Sequence, residues 1–171
     1  MHRFYSVFCC LLGLLFSSCG DGDEFTVDID FDQELEVCIV NGSFVIFDTR
    51  ESPFESLTLV IPINEVNERI LFNPIDSDVD GSFSLSTDNQ LNFRSYNGDP
   101  LEIICQPIPS SSVIITDDIQ ASSGIINYSS TSIEENSIRT ITIDFSISNL
   151  DIEILRATEF TLGTLIIEVE L

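Results

Sequence analysis

Apolar and polar residues alternate with a period of two through most of this 171-residue chain, and no stretch carries the 3.6-residue period of an amphipathic helix of ordinary length. Successive side chains on a strand point to opposite faces, so this alternation writes a buried face and a wet face into each segment. Phe25, Val27, Ile29 and Phe31 share one face of a first strand, with Asp28 and Asp30 on the other. Leu35 to Val40 and Ser43 to Thr49 flank Asn41-Gly42, the pair that supplies the positive φ angles of a two-residue hairpin. Leu57 to Ile61 is a third apolar run, stopped by Pro62, and Asn64 to Leu71 reads as no more than a helical turn. Ser82 to Ser86 and Gln90 to Ser95 predict a second hairpin, followed by a turn at Asn97-Gly98-Asp99-Pro100 and a strand over Leu101 to Cys105. Gln106 to Ser112 is a Pro/Ser stretch of linker character. Strands are expected again at Val113–Thr116, Gly124–Ser130, Ile141–Ile147, Leu150–Ile154 and Leu165–Leu171. About ten short strands with frequent turn signals predict an all-β domain, an antiparallel β-sandwich spanning 25–171. Halves divided at 106–112 would each have a poor core, which favours one domain.

The first residues follow a different rule. His2 and Arg3 precede an apolar run from Phe4 to Phe16, and Ser17 and Ser18 are the small residues a signal peptidase requires. Thirteen apolar residues are too short for a membrane span, which takes about 20. Phe16-Ser17-Ser18-Cys19 looks like a lipobox, with Phe16 where such boxes usually carry an aliphatic residue. Residues 1–18 are thus expected to be a lipoprotein signal peptide and Cys19 the lipidated residue; plain secretion with a cut beside Cys19 is the alternative. Gly20-Asp21-Gly22-Asp23-Glu24 completes an acidic tether over 19–24, reaching at most ~17 Å when extended. It resembles the tract that directs some Bacteroidota-type lipoproteins to the outer face of the outer membrane, with a solvated spacer as the plainer reading.

Composition narrows the chemistry. All 29 acidic residues lie beyond Cys19 with only five arginines, leaving a net charge of −24 on the expected mature chain. Such a field repels nucleic acid and anionic lipid. It would attract divalent cations or basic partners, or serve solubility alone. The only His is His2, and there is no Lys and no Trp. A mature domain so composed cannot run Ser–His or Cys–His acyl transfer, Schiff-base chemistry or a serine–lysine dyad. It also cannot form a histidine-containing zinc, copper or iron site. Carboxylate pairs remain available, so a two-carboxylate glycoside hydrolase stays open as the enzymatic alternative.

With Cys9 and Cys10 in the apolar leader and Cys19 taken by lipid, Cys38 and Cys105 are left. They read either as a disulfide of an oxidising compartment or as two separate buried thiols. Alternation puts Cys38 with Glu36 and Val40, but Cys105 with Leu101 and Ile103, so a bridge needs a bulge or a mixed face. Asp76-Ser77-Asp78-Val79-Asp80-Gly81 matches the first half of a calcium loop, three carboxylates at alternate positions and then a turn glycine. The twelfth position is Thr87 rather than Glu and Ser82 to Ser86 reads as strand, so a solvated acidic turn is the plainer reading.

At Asn92-Phe93-Arg94-Ser95-Tyr96-Asn97-Gly98 and again at Cys105-Gln106-Pro107-Ile108-Pro109, the chain resembles short uncharacterised lipoproteins of flavobacteria. That resemblance implies an envelope location, an acidic start and an all-β body, and nothing catalytic. The combined expectation is a lipid-anchored, non-catalytic binding or structural module at the outer membrane, facing the cell surface. It has a membrane contact through Cys19, no nucleic-acid partner and no cofactor. A calcium-dependent adhesion or glycan-binding module, with Asp76, Asp78 and Asp80 as ligands, is the alternative.

Overall fold

A computed structural model describes residues 31, 33–64 and 79–171. The expected signal peptide, Cys19, the tether, nearly all of the predicted first strand, the 65–71 segment, Asp76 and Asp78 lie outside the described residues.

The hairpin read from Asn41-Gly42 forms as expected. Strands β1 (Glu34–Val40) and β2 (Ser43–Glu51) pair antiparallel, with Asn41 at φ 51° and Gly42 at φ 79°. Both left-handed angles belong to the turn whose twist matches that of the flanking strands. β3 (Phe54–Pro62) returns along β2 after a cis Ser52–Pro53 bond, and the ladder runs from Glu51–Phe54 to Ser43–Pro62. The remaining elements are β4 (Val79–Ser84), β5 (Gln90–Tyr96), a single helical turn α1 (Leu101–Ile104), β6 (Ile115–Gln120), β7 (Ser123–Glu135), β8 (Ile138–Ile152) and β9 (Leu155–Glu170).

The fold is all-β, as the alternation predicts, but it is organised as one mixed nine-stranded sheet in the order β4-β7-β8-β9-β1-β2-β3-β5-β6. The two halves meet where β1 lies parallel to β9, through Glu34–Thr164 and Leu35–Leu165. Gln33 makes this joint close. Its N–H donates to the buried Asp48 carboxylate at 2.9 Å, and its carbonyl accepts from the Thr164 N–H at 2.9 Å. A Cβ on Gly163 would stand 2.5 Å from the Gln33 carbonyl oxygen, and Gly163 has φ 142°. No other residue fits there without strain. Phe44, Ile46, Leu59 and Leu91 from one half and Ile126, Ile141, Ile143, Ile147 and Leu165 from the other join one buried cluster. These are the inward members of the alternating sets, so binary pattern decides which face is dry.

Three expectations change. β4 and β5 do not form a hairpin: β4 pairs with β7, while β5 lies between β3 and β6. None of residues 85–89 has a positive φ, and the Ser86 N–H donates to the Asn89 carbonyl in an open turn that carries the chain from one half to the other. Phe83 is then placed opposite Ile126, and Leu91 opposite Leu59, so burial chooses the partners. Leu101–Cys105 is not a strand. Pro100 has helical angles and its carbonyl accepts from Ile103 and Ile104, while the Asp99 carboxylate accepts from the Leu101 N–H. A run this short, apolar except for Glu102, cannot by itself distinguish strand from helical turn. Finally, Ile141–Ile147 and the first part of Leu150–Ile154 merge into one strand, β8, with Asn149 at φ 53° absorbing the break in alternation, while Ile154 lies in the turn to β9.

Candidate binding site

The outward face of the β1-β2-β3-β5 half is largely buried and mixes apolar with polar side chains, where an exposed sheet face would be polar and open to solvent. Its cross-strand rows are Cys38–Val45–Val60–Gln90 and Phe47–Thr58–Asn92, with Ser56 and Arg94 alongside. Phe47, Ser56, Thr58, Asn92 and Tyr96 on this face are all buried. Tyr96 and Ser56 share a hydroxyl–hydroxyl bond of 2.7 Å, and the Thr58 hydroxyl donates to the Asn92 carbonyl.

Over part of this face runs a strap, residues 97–114, that leaves the sheet at Tyr96 and re-enters at Ile115, the residue paired with Tyr96. The Asn97 N–H donates to the Ile114 carbonyl, and the Ile114 N–H to the Asn97 side-chain oxygen at 2.8 Å, closing the base. Apart from the single turn α1 the strap has no regular structure, and long excursions of this kind are usually either functional or linkers. The strap contains the Gln106–Ser112 stretch read as a linker; the strands on either side of it pair with each other, so it separates no domains. Cys105, just after α1, is bonded to Cys38 with Cα atoms 5.9 Å apart. The face problem raised by alternation disappears because Cys105 follows a helical turn and approaches the sheet from outside, on the side where Cys38 already points.

Between strap and sheet lies a cleft of about 560 Å³. Val45, Val60 and Thr58 form its floor and Ile104, Pro107 and Val113 its roof. Arg94, also at the cleft, donates through Nε to Asp118 at 3.0 Å, so its charge is matched locally. Tyr96 has its pKa raised from the usual 10.0, chiefly by burial and against the lowering effect of its bond to Ser56 and of the Arg94 charge. It is therefore a neutral hydrogen-bonding group at physiological pH. Arg94 and Tyr96 were not foreseen as site residues; the signals were Asn97-Gly98 directly after a strand and the Pro-rich stretch behind it.

The other half shows an outward polar face. Asp80, Ser129, Asp144 and Thr164 form one cross-strand row, and the Thr164 hydroxyl donates to Asp144 at 2.6 Å. β7 separates Asp80 from Asp144, about 10 Å by strand spacing, and both are exposed. Gly81 does not make the sharp turn of a calcium loop. It sits within β4 opposite Tyr128, whose ring occupies the place a Cβ would take. Asp80 is the only one of the three expected ligands among the described residues, where no group of three metal-ligating side chains comes together.

Comparison with protein-family models, with curated protein sequences and with solved structures finds no match to this chain.

Proposed function

We propose that this protein is a lipid-anchored, non-catalytic binding module of the bacterial outer membrane, displayed toward the cell surface, in which the sheet, closed over its own core, serves as a β-sandwich. The observation that carries the binding reading is the cleft between the outward sheet face and the disulfide-pinned strap. Open volume walled by apolar side chains, with a few polar groups along it, is the usual form of a ligand site. The ionisable groups there, among the described residues, are a neutral tyrosine and an arginine already paired with an acid, which suits holding a molecule rather than transforming it. The anchoring reading rests on the apolar leader, the lipobox at Cys19 and the acidic residues behind it. Several acyl chains hold a domain firmly where one gives only marginal binding.

Detergent phase partitioning of the full chain expressed in an envelope-bearing host tests the anchor. Wild type is expected in the detergent phase, and Cys19→Ala in the aqueous phase or unprocessed. Wild type in the aqueous phase overturns lipidation, and resistance to protease added to intact cells overturns surface display.

A further inference from the structure

We propose that the cleft beneath the strap is the site of an uncharged, largely apolar small molecule, clasped between the outward face of β2, β3 and β5 and a roof fixed by the Cys38–Cys105 bond. This inference rests on the binding-module reading and names its ligand class.

Size, lining and charge each point the same way. The volume of about 560 Å³ falls within the range of small-molecule pockets. Val45 and Val60 below, and Ile104, Pro107 and Val113 above, offer surfaces that only an apolar body matches. Asn41, Ser43 and Gln106 are left to orient a polar end. Among the described residues no carboxylate lines the cleft, so a cation would be desolvated there without a counter-charge. An anion would face a chain with 29 acids and, among the described residues, a single arginine at the cleft that Asp118 already satisfies. An uncharged molecule meets neither penalty.

The disulfide belongs to the same argument. The strap's base is held by the Tyr96–Ile115 pairing and the Asn97–Ile114 bonds; Val113 of the roof lies beside that base, whereas roof residues 104–109 lie mid-strap. Cys105 lies among those roof residues, and its bond to Cys38 ties them to the sheet. Loss of that bond leaves floor and base in place and frees the roof.

The test is a titration of the oxidised full chain, in detergent-free buffer if soluble and otherwise in a nonionic detergent below its micellar concentration. The probe is N-phenyl-1-naphthylamine, an uncharged fluorophore that brightens in apolar surroundings. One saturable site per chain is expected. Val60→Trp and Ile104→Trp, filling the cleft from opposite walls, should each weaken binding at least tenfold, and Cys38→Ser/Cys105→Ser should weaken it as well. Ile133→Ser, an exposed apolar residue on the other half, should leave it unchanged. The anionic relative 1-anilinonaphthalene-8-sulfonate should bind more weakly, most clearly at low salt. A signal that never saturates overturns the proposal, as does an affinity indifferent to both tryptophans and to the double serine variant. Tighter binding of the sulfonate overturns the ligand class. Should a tryptophan variant lose its strand spectrum by circular dichroism, the serine pair decides. None of these outcomes bears on phase partitioning, so anchor and ligand readings fail separately.

Discussion

A single backbone contact governs how the two halves of the sheet meet. Gly163 lets the Gln33 carbonyl approach until Thr164 can donate to it, and its φ of 142° is one that side chains rarely tolerate. Gly163→Ala should therefore destabilise the domain by about 1–3 kcal/mol, read as a lower urea midpoint with unchanged slope. An unaltered midpoint would mean that β9 and β1 can separate at no cost. Tyr96 makes a pH-dependent contribution. Burial raises its pKa in the folded chain, so the folded state keeps its proton after the unfolded state has lost it. Stability from this group is fully present below about pH 10. It drains away as pH rises from there through the folded-state value. Tyr96→Phe should cost about 1 kcal/mol at neutral pH, because the buried Ser56 hydroxyl loses its partner, yet flatten the decline above pH 10. Equal alkaline declines in the two proteins would refute the assignment.

Among the elements, the strap depends most on one covalent bond. Cys38 and Cys105 are 67 positions apart, and closing such a loop lowers the entropy of the unfolded chain by an amount worth about 4 kcal/mol. Cys38→Ser/Cys105→Ser should lose a comparable amount in chemical denaturation. Amide exchange should meanwhile accelerate chiefly over 98–113, since the β2–β3–β5 ladder does not use the bond. Acceleration spread evenly over the sheet would show that the bond holds the core rather than the roof. The elements also show where local reading ends. The β1–β2 hairpin was legible because Asn41-Gly42 encodes its own turn. The hairpin expected of β4 and β5 was not there, because Ser86 to Asn89 contains no residue at positive φ and both strands find better apolar partners elsewhere.

For the whole molecule, charge is the dominant stress. Among the described residues Arg50, Arg94, Arg139 and Arg156 each sit on an acid, at Glu55, Asp118, Glu134 and Asp151. That leaves most of the 29 acids without a paired cation. Of these the exposed pairs, at Arg94, Arg139 and Arg156, contribute little, about 0–1 kcal/mol each. Sodium chloride, with a Debye length near 10 Å at 0.1 M, should therefore stabilise the domain by screening. The melting temperature should climb by about 2–4 °C for each kcal/mol relieved. A matched calcium series separates the readings of the Asp76–Asp80 stretch: specific binding at 100 times Kd would add about 2.7 kcal/mol beyond sodium at equal ionic strength. A melting temperature that falls with sodium chloride would refute the account of repulsion.

Alternation by itself determined that the chain is all-β, which residues face the core, and where the β1–β2 turn falls, because side-chain direction in a strand depends only on position along it. Composition removed lysine chemistry from the chain, and histidine chemistry from everything beyond His2, for an equally local reason: those residues are not there. Strand order, the parallel contact of β1 with β9 and the union of both halves in one sheet were decided by tertiary structure, since ladders form between segments far apart in sequence and many pairings satisfy the same pattern. The candidate site was decided there too. Cys38 and Cys105 were visible as a pair, but that the bond roofs a cleft depends on the helical turn at Leu101–Ile104, which a short apolar run does not announce. Val45, Thr58, Arg94 and Tyr96 become neighbours only once the sheet is assembled and the strap folds back across it.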